Sequence, residues 1–107
     1  MTRISRVLTV LAGAFLLTTA AQAQRPQVER GRAFAPANCA RCHAIGRTGD
    51  SPLSKAPPFR TLHNRYPVES LAEAFAEGIK VAHPMPQFQL EPGQIEDLIA
   101  YLQSLER

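Results

Sequence analysis

An all-α fold, with about three to four helices joined by long loops, is predicted for this chain by three observations. Ile95, Leu98, Ile99, Leu102 and Leu105 recur at the spacing of one helix face. A second amphipathic stretch runs from about Val68 to Glu77. No run alternates apolar and polar residues well enough to be a strand.

The start of the chain has to be set apart before the elements are taken in order. Arg3 and Arg6 precede a run of apolar and small residues from Val7 to Ala21, and Ala21-Gln22-Ala23 has the small-x-small form of a cleavage site. Residues 1–23 read as a cleavable signal peptide, and residues 24–107 as one exported domain, expected in the periplasm. An uncleaved anchor is the rival reading, but the run falls short of the ~20 residues a membrane helix needs. No membrane span is expected after cleavage. The remaining chain is near the size at which a hydrophobic core alone gives little stability, and it has no Trp.

Charge narrows the function classes. Removing Arg3 and Arg6 from the 12 Lys and Arg residues leaves ten against 9 Asp and Glu, a net charge of +1. The basic bias thus sits in the signal, and no nucleic-acid partner is indicated. Arg25 to Arg65 crowd the first half and Glu69 to Asp97 the second. That asymmetry is either a dipole that orients a partner or an ordinary solvated surface, the commoner case.

A first helix is expected from about Gln27 to Ala35, broken there because Pro36 removes an amide and clashes with the preceding turn. Gly46, Gly49, Pro52, Pro57 and Pro58 mark residues 46–58 as loop, and a short turn follows near Pro58 to Leu62. In the helix from Val68 to Glu77, Leu71, Ala72, Phe75 and Ala76 share one side, while Glu69, Glu73 and Glu77 form a solvated stripe. Gly78 is its stop. The last helix runs from Pro92 to Leu105, with Pro92 in its first turn and Glu91, Glu96 and Asp97 near its positive end.

Both cysteines fall in one pentapeptide, Cys39-Ala40-Arg41-Cys42-His43. C-x-x-C-H is the attachment pattern for c-type haem. Cysteines three positions apart lie on the same side of a helical turn, where each sulfur can add to one haem vinyl group. His43 is then brought under the iron as proximal ligand. A thioredoxin-like pair would need a βαβ context, a zinc site would need a second ligand pair, and a plain disulfide leaves His43 unexplained. One haem c, covalent through Cys39 and Cys42 and carrying one iron, is the expected cofactor.

Met85 is the methionine that remains after processing, and it sits in His83-Pro84-Met85-Pro86. A thioether suits haem iron, and His/Met ligation raises the reduction potential. The flanking prolines make a stiff extended loop that can hold a weak ligand, whereas a core-filling Met is more often found on a helix or strand face. His83 and His63 are competitors for this position. His63 lies in a polar stretch and is expected to be exposed, and bis-His ligation would lower the potential.

With these residues in place, the chain resembles the small monohaem class I cytochromes c of bacteria. Gly31 and Phe34, the pentapeptide, Ala56-Pro57-Pro58-Phe59, His83 to Phe88 and Ile95 to Leu105 are similar to that family's first helix, haem site, proline loop, methionine loop and last helix. The likeness spans nearly all of residues 28–105. It implies a cytochrome c-type fold wrapped around the haem, in which Gly31 and Phe34 meet the face of Leu98, Tyr101 and Leu102. It also implies that a proline-loop carbonyl, Pro57 or next Pro58, accepts a hydrogen bond from His43.

The function expected is periplasmic electron transfer, not catalysis. Iron ligated by His43 and Met85 has no open position, and neither ligand need move as the electron passes. Redox partner proteins would dock transiently over a small area. Two alternatives stay open: a gas- or peroxide-reactive haem protein with a labile Met85, and a haem subunit of a larger oxidoreductase. Arg60, Arg65 and Tyr66 are faint candidates for the haem propionates, and Lys80 for a partner contact.

Overall fold

The computed structural model describes residues 24–79, 85–87 and 89–107. Helical backbone covers residues 24–38 (α1), followed by 3₁₀ turns at Phe59–Asn64 and Val68–Ser70, then α2, Leu71–Glu77, and α3, Pro92–Ser104. No strand occurs among the described residues. Residues 43–58 form a long irregular loop, as their glycines and prolines predict. No described helix is long and apolar enough to cross a membrane.

Helix α1 departs from expectation at its end. It does not break near Ala35 but continues through Pro36 to residue 38. Pro36 and Arg32, whose carbonyl the missing amide would have served, are both exposed, so water can replace the lost bond. The Asn38 side chain meanwhile donates to the Phe34 carbonyl at 2.8 Å, serving one of the open carbonyls of the last turn.

The α1/α3 crossing depends on Gly31. A Cβ there would lie 2.2 Å from the Asp97 carbonyl oxygen and 2.6 Å from the Tyr101 Cβ, so only hydrogen permits this approach. Phe34 packs on the core that Ala35 shares with Leu98, Tyr101 and Leu102, as the family likeness implies. Beside the crossing, Arg30 Nε donates to Asp97 Oδ2 at 2.8 Å. Asp97 therefore pairs with α1, and no acidic residue occupies the first turn of α3. Glu91 is instead its N-cap residue, and the Glu91 amide donates to Gln94 Oε1 at 3.0 Å.

Val68, Phe75, Ile95 and Leu105 extend the same core toward α2. Glu69, Glu73 and Glu77 are exposed, as a solvated stripe should be, and Glu69 accepts from Gln103 Nε2 of α3 at 2.7 Å. Gly78 ends α2 with φ +94°, a conformation that favours glycine. Helix residues such as Phe34, Phe75, Leu98 and Leu102 line one part of a cavity, and residues of the loops at 43–58, 85–87 and 89–91 line another.

Candidate haem site

The pentapeptide continues α1 as a hydrogen-bonded turn. The Cys39 and Ala40 amides donate to the Ala35 carbonyl at 2.8 and 3.2 Å, and the Cys42 and His43 amides to the Cys39 carbonyl at 3.2 and 3.0 Å. The proline loop is tied onto that turn along its length. Leu53 N–H donates to the Cys42 carbonyl at 3.1 Å, Phe59 N–H to the Ala44 carbonyl at 2.9 Å, and Ala44 N–H to Ser51 Oγ at 3.0 Å. Nothing local in the sequence marks Ser51 or Leu53 for this role.

These ties orient His43. Its Nδ1–H donates to the Pro57 carbonyl at 2.7 Å, which leaves Nε2 with the free lone pair. The carbonyl of Pro58 is already occupied, accepting Thr61 N–H at 3.0 Å and Thr61 Oγ1–H at 2.8 Å. The Phe59 ring packs against the imidazole with centroids 5.1 Å apart at a 44° tilt. Ring and tautomer are therefore held from two sides.

Cys39, Cys42, His43 and Met85 all line one cavity of about 820 Å³, a size typical of cofactor and ligand pockets. Phe34, Phe59, Leu62, Phe75, Leu98 and Leu102 give it an apolar wall. Burial pushes the Cys39 thiol up to about 11, opposite to the lowered value of a reactive C-x-x-C thiolate. Cys39 and Cys42 are both half-buried and are not bonded to one another. No cluster of His, Cys, Asp and Glu among the described residues has the makings of another metal site.

Met85 is half-buried and follows no regular element. His83, its rival, lies outside the described residues, as do Pro84 and Lys80. His63 is exposed, as expected, and does not line the cavity. Tyr66 stands at the cavity wall, 39% exposed, and Arg65 is exposed.

Haem c fits this donor set. Two thiols, an imidazole with one nitrogen left free and a thioether face a common apolar space. Arg60 Nη1 is buried and has no hydrogen-bond partner among the described residues, but Arg60 does not line the cavity.

Comparison with known proteins agrees with this chemistry. The family model for cytochrome c matches residues 28–106. A "Cytochrome c-553-like" protein of Synechocystis sp. is 32% identical over 83 residues, covering 78% of this chain and 73% of that protein. No solved structure matches the chain significantly. Helices without strands among the described residues, a C-x-x-C-H turn on an apolar cavity and this match over most of the chain lead to one assignment: the chain belongs to the cytochrome c family, as a small class I monohaem electron carrier.

Proposed function

We propose that this cytochrome is a periplasmic electron-transfer protein whose single haem c is bound through Cys39 and Cys42, with His43 and Met85 as axial ligands. The observation that carries the reading is the convergence of those four side chains on one apolar cavity, with His43 Nδ1 already engaged by Pro57. When bound, haem iron supplies the one-electron redox change. The chain supplies the rest.

The two cysteines, held on one turn, anchor the group against the end of α1. Pro57 keeps His43 in the tautomer whose Nε2 is free to ligate. The apolar wall would keep water from the centre, and the Met85 thioether, as the second ligand beside His43, would leave the iron no position for a substrate. Residues 1–23 act as the signal that exports the chain and are then removed. Redox partners dock transiently where the cavity reaches the surface, near the exposed Arg41 and Lys55.

The test is the visible spectrum of the exported protein, oxidised and reduced, with carbon monoxide then added to the reduced form. A low-spin c-type spectrum, a far-red methionine-to-iron band and no carbon monoxide response are expected. A high-spin spectrum or ready carbon monoxide binding would overturn closed His43/Met85 ligation in favour of reaction at an open iron.

A further inference from the structure

The loop bearing Met85 has no helix or strand of its own in its described part, residues 85–87 and 89–91, yet it returns to one place. Leu90 N–H donates to the Phe75 carbonyl at 2.9 Å, and Gln89 Nε2–H donates to the Ala76 carbonyl at 2.9 Å. These are carbonyls of the last turn of α2, which have no partner within the helix. At Gly78, the residue after α2, a Cβ would meet the end of the exposed Gln87 side chain at 3.0 Å, so the two chain segments lie against each other here. Ile79 and Leu90, on the two chain segments so joined, both line the haem cavity with Met85.

We infer that the C-terminal turn of α2 is the seat of the sixth ligand, with Gly78 and Gln89 as positioning residues for Met85. This rests on the reading of Met85 as the axial ligand. The two prolines stiffen the chain locally but do not place it relative to the iron, and that placement needs tertiary contacts. The seat provides them by using the carbonyls that the short helix leaves open. Gly78 turns the chain there at positive φ and lies against Gln87. Gln89 contributes a bond that is exposed to water, so its effect is the smaller.

The experiment measures imidazole binding to the ferric holoprotein, together with the far-red methionine-to-iron band, in four variants. Gln89→Leu is expected to raise imidazole affinity about fivefold through loss of one hydrogen bond. Gly78→Ala is expected to raise it by about tenfold or more, since a side chain at positive φ carries its own penalty, and to weaken the far-red band. Leu105→Ala hollows the core at a buried residue that does not line the haem cavity and is expected to leave imidazole affinity unchanged. An equal rise in Leu105→Ala would mean that general destabilisation is responsible and would overturn the proposal. Met85→Ala separates the two readings. If it leaves band and affinity unchanged, the axial assignment itself fails. If it abolishes the band while Gly78→Ala and Gln89→Leu match the parent protein, only the seat is wrong.

Discussion

The two walls of the haem cavity are built on different principles. The His43 wall is contiguous in sequence: one pentapeptide at the end of a helix, with a loop laid over it by the Leu53–Cys42, Ala44–Ser51, Phe59–Ala44 and His43–Pro57 hydrogen bonds. The Met85 wall is a loop whose described residues make two hydrogen bonds to the end of a short helix, one of them from an exposed side chain. Each hydrogen bond is worth about 1 kcal/mol net, and less where water competes. The comparison teaches that the His43 side is over-determined, whereas the described residues of the Met85 side rest on two hydrogen bonds. Exchange of a ligand should therefore begin at Met85 and leave His43 in place.

The largest effect should come from removing the covalent side. Cys39→Ala with Cys42→Ala is expected to abolish covalent haem and leave a chain without a stable fold, read as lost visible absorbance and lost helical circular dichroism. A stable, coloured double variant would mean that the pentapeptide is not the attachment site. Next, Gly31→Ala forces apart backbones that now touch, and overpacking of this kind costs about 1–3 kcal/mol. Denaturant unfolding of the holoprotein measures it, and an unchanged midpoint would show that the crossing is not as tight as the walls need.

Met85→Ala should keep haem attached and helices folded while opening the iron, seen as loss of the far-red band and rapid carbon monoxide binding on reduction. An unchanged ferric spectrum would turn attention to His83. Tyr101→Phe removes the hydrogen bond to the Ile45 carbonyl, which anchors the start of the long loop to α3, at about 1 kcal/mol. It also has a pH signature. Burial raises the Tyr101 phenol above its ordinary value of 10.0, so the folded state resists an ionisation that the unfolded state permits. Its stabilising contribution is full below pH 10 and is lost as pH rises toward the folded-state value. Tyr101→Phe should flatten that alkaline decline in unfolding midpoint. The smallest effect is expected of Arg30→Ala, which breaks an exposed ion pair with Asp97 and should leave the thermal midpoint unchanged within error.

Much of this molecule is legible along the chain because its strongest signals are local. The last helix was expected at Pro92 to Leu105 and occupies Pro92–Ser104. The stretch from Val68 to Glu77 is helical throughout, although its first turn is 3₁₀. Gly78 stops it as expected. Pro36 misleads because a proline's cost depends on whether the carbonyl it abandons can reach water, and only the packing of α1 decides that. Glu96 and Asp97 mislead for a related reason: charge near a helix start suggests a dipole role, but Asp97 lies beyond the first turn and its partner Arg30 stands 67 residues away. The cysteines, His43 and Met85 were all visible as types and spacings. Ser51, Leu53 and Gln89 were not, since an ordinary polar or apolar residue in a loop carries no pattern until its partner is known.

By itself, then, the sequence determined the helices, the haem-binding pentapeptide and the candidate ligands, because each depends on residues within a few positions of one another. The family likeness pointed to Pro57, next Pro58, for His43 and to Gly31 against the Tyr101 face; the tertiary structure chose Pro57 and added Asp97 to the Gly31 contact, and it alone decided that the end of α2 carries the methionine loop. Those choices join residues distant along the chain. Their energies are small one by one and take effect only when the packed core has already brought the partners within reach.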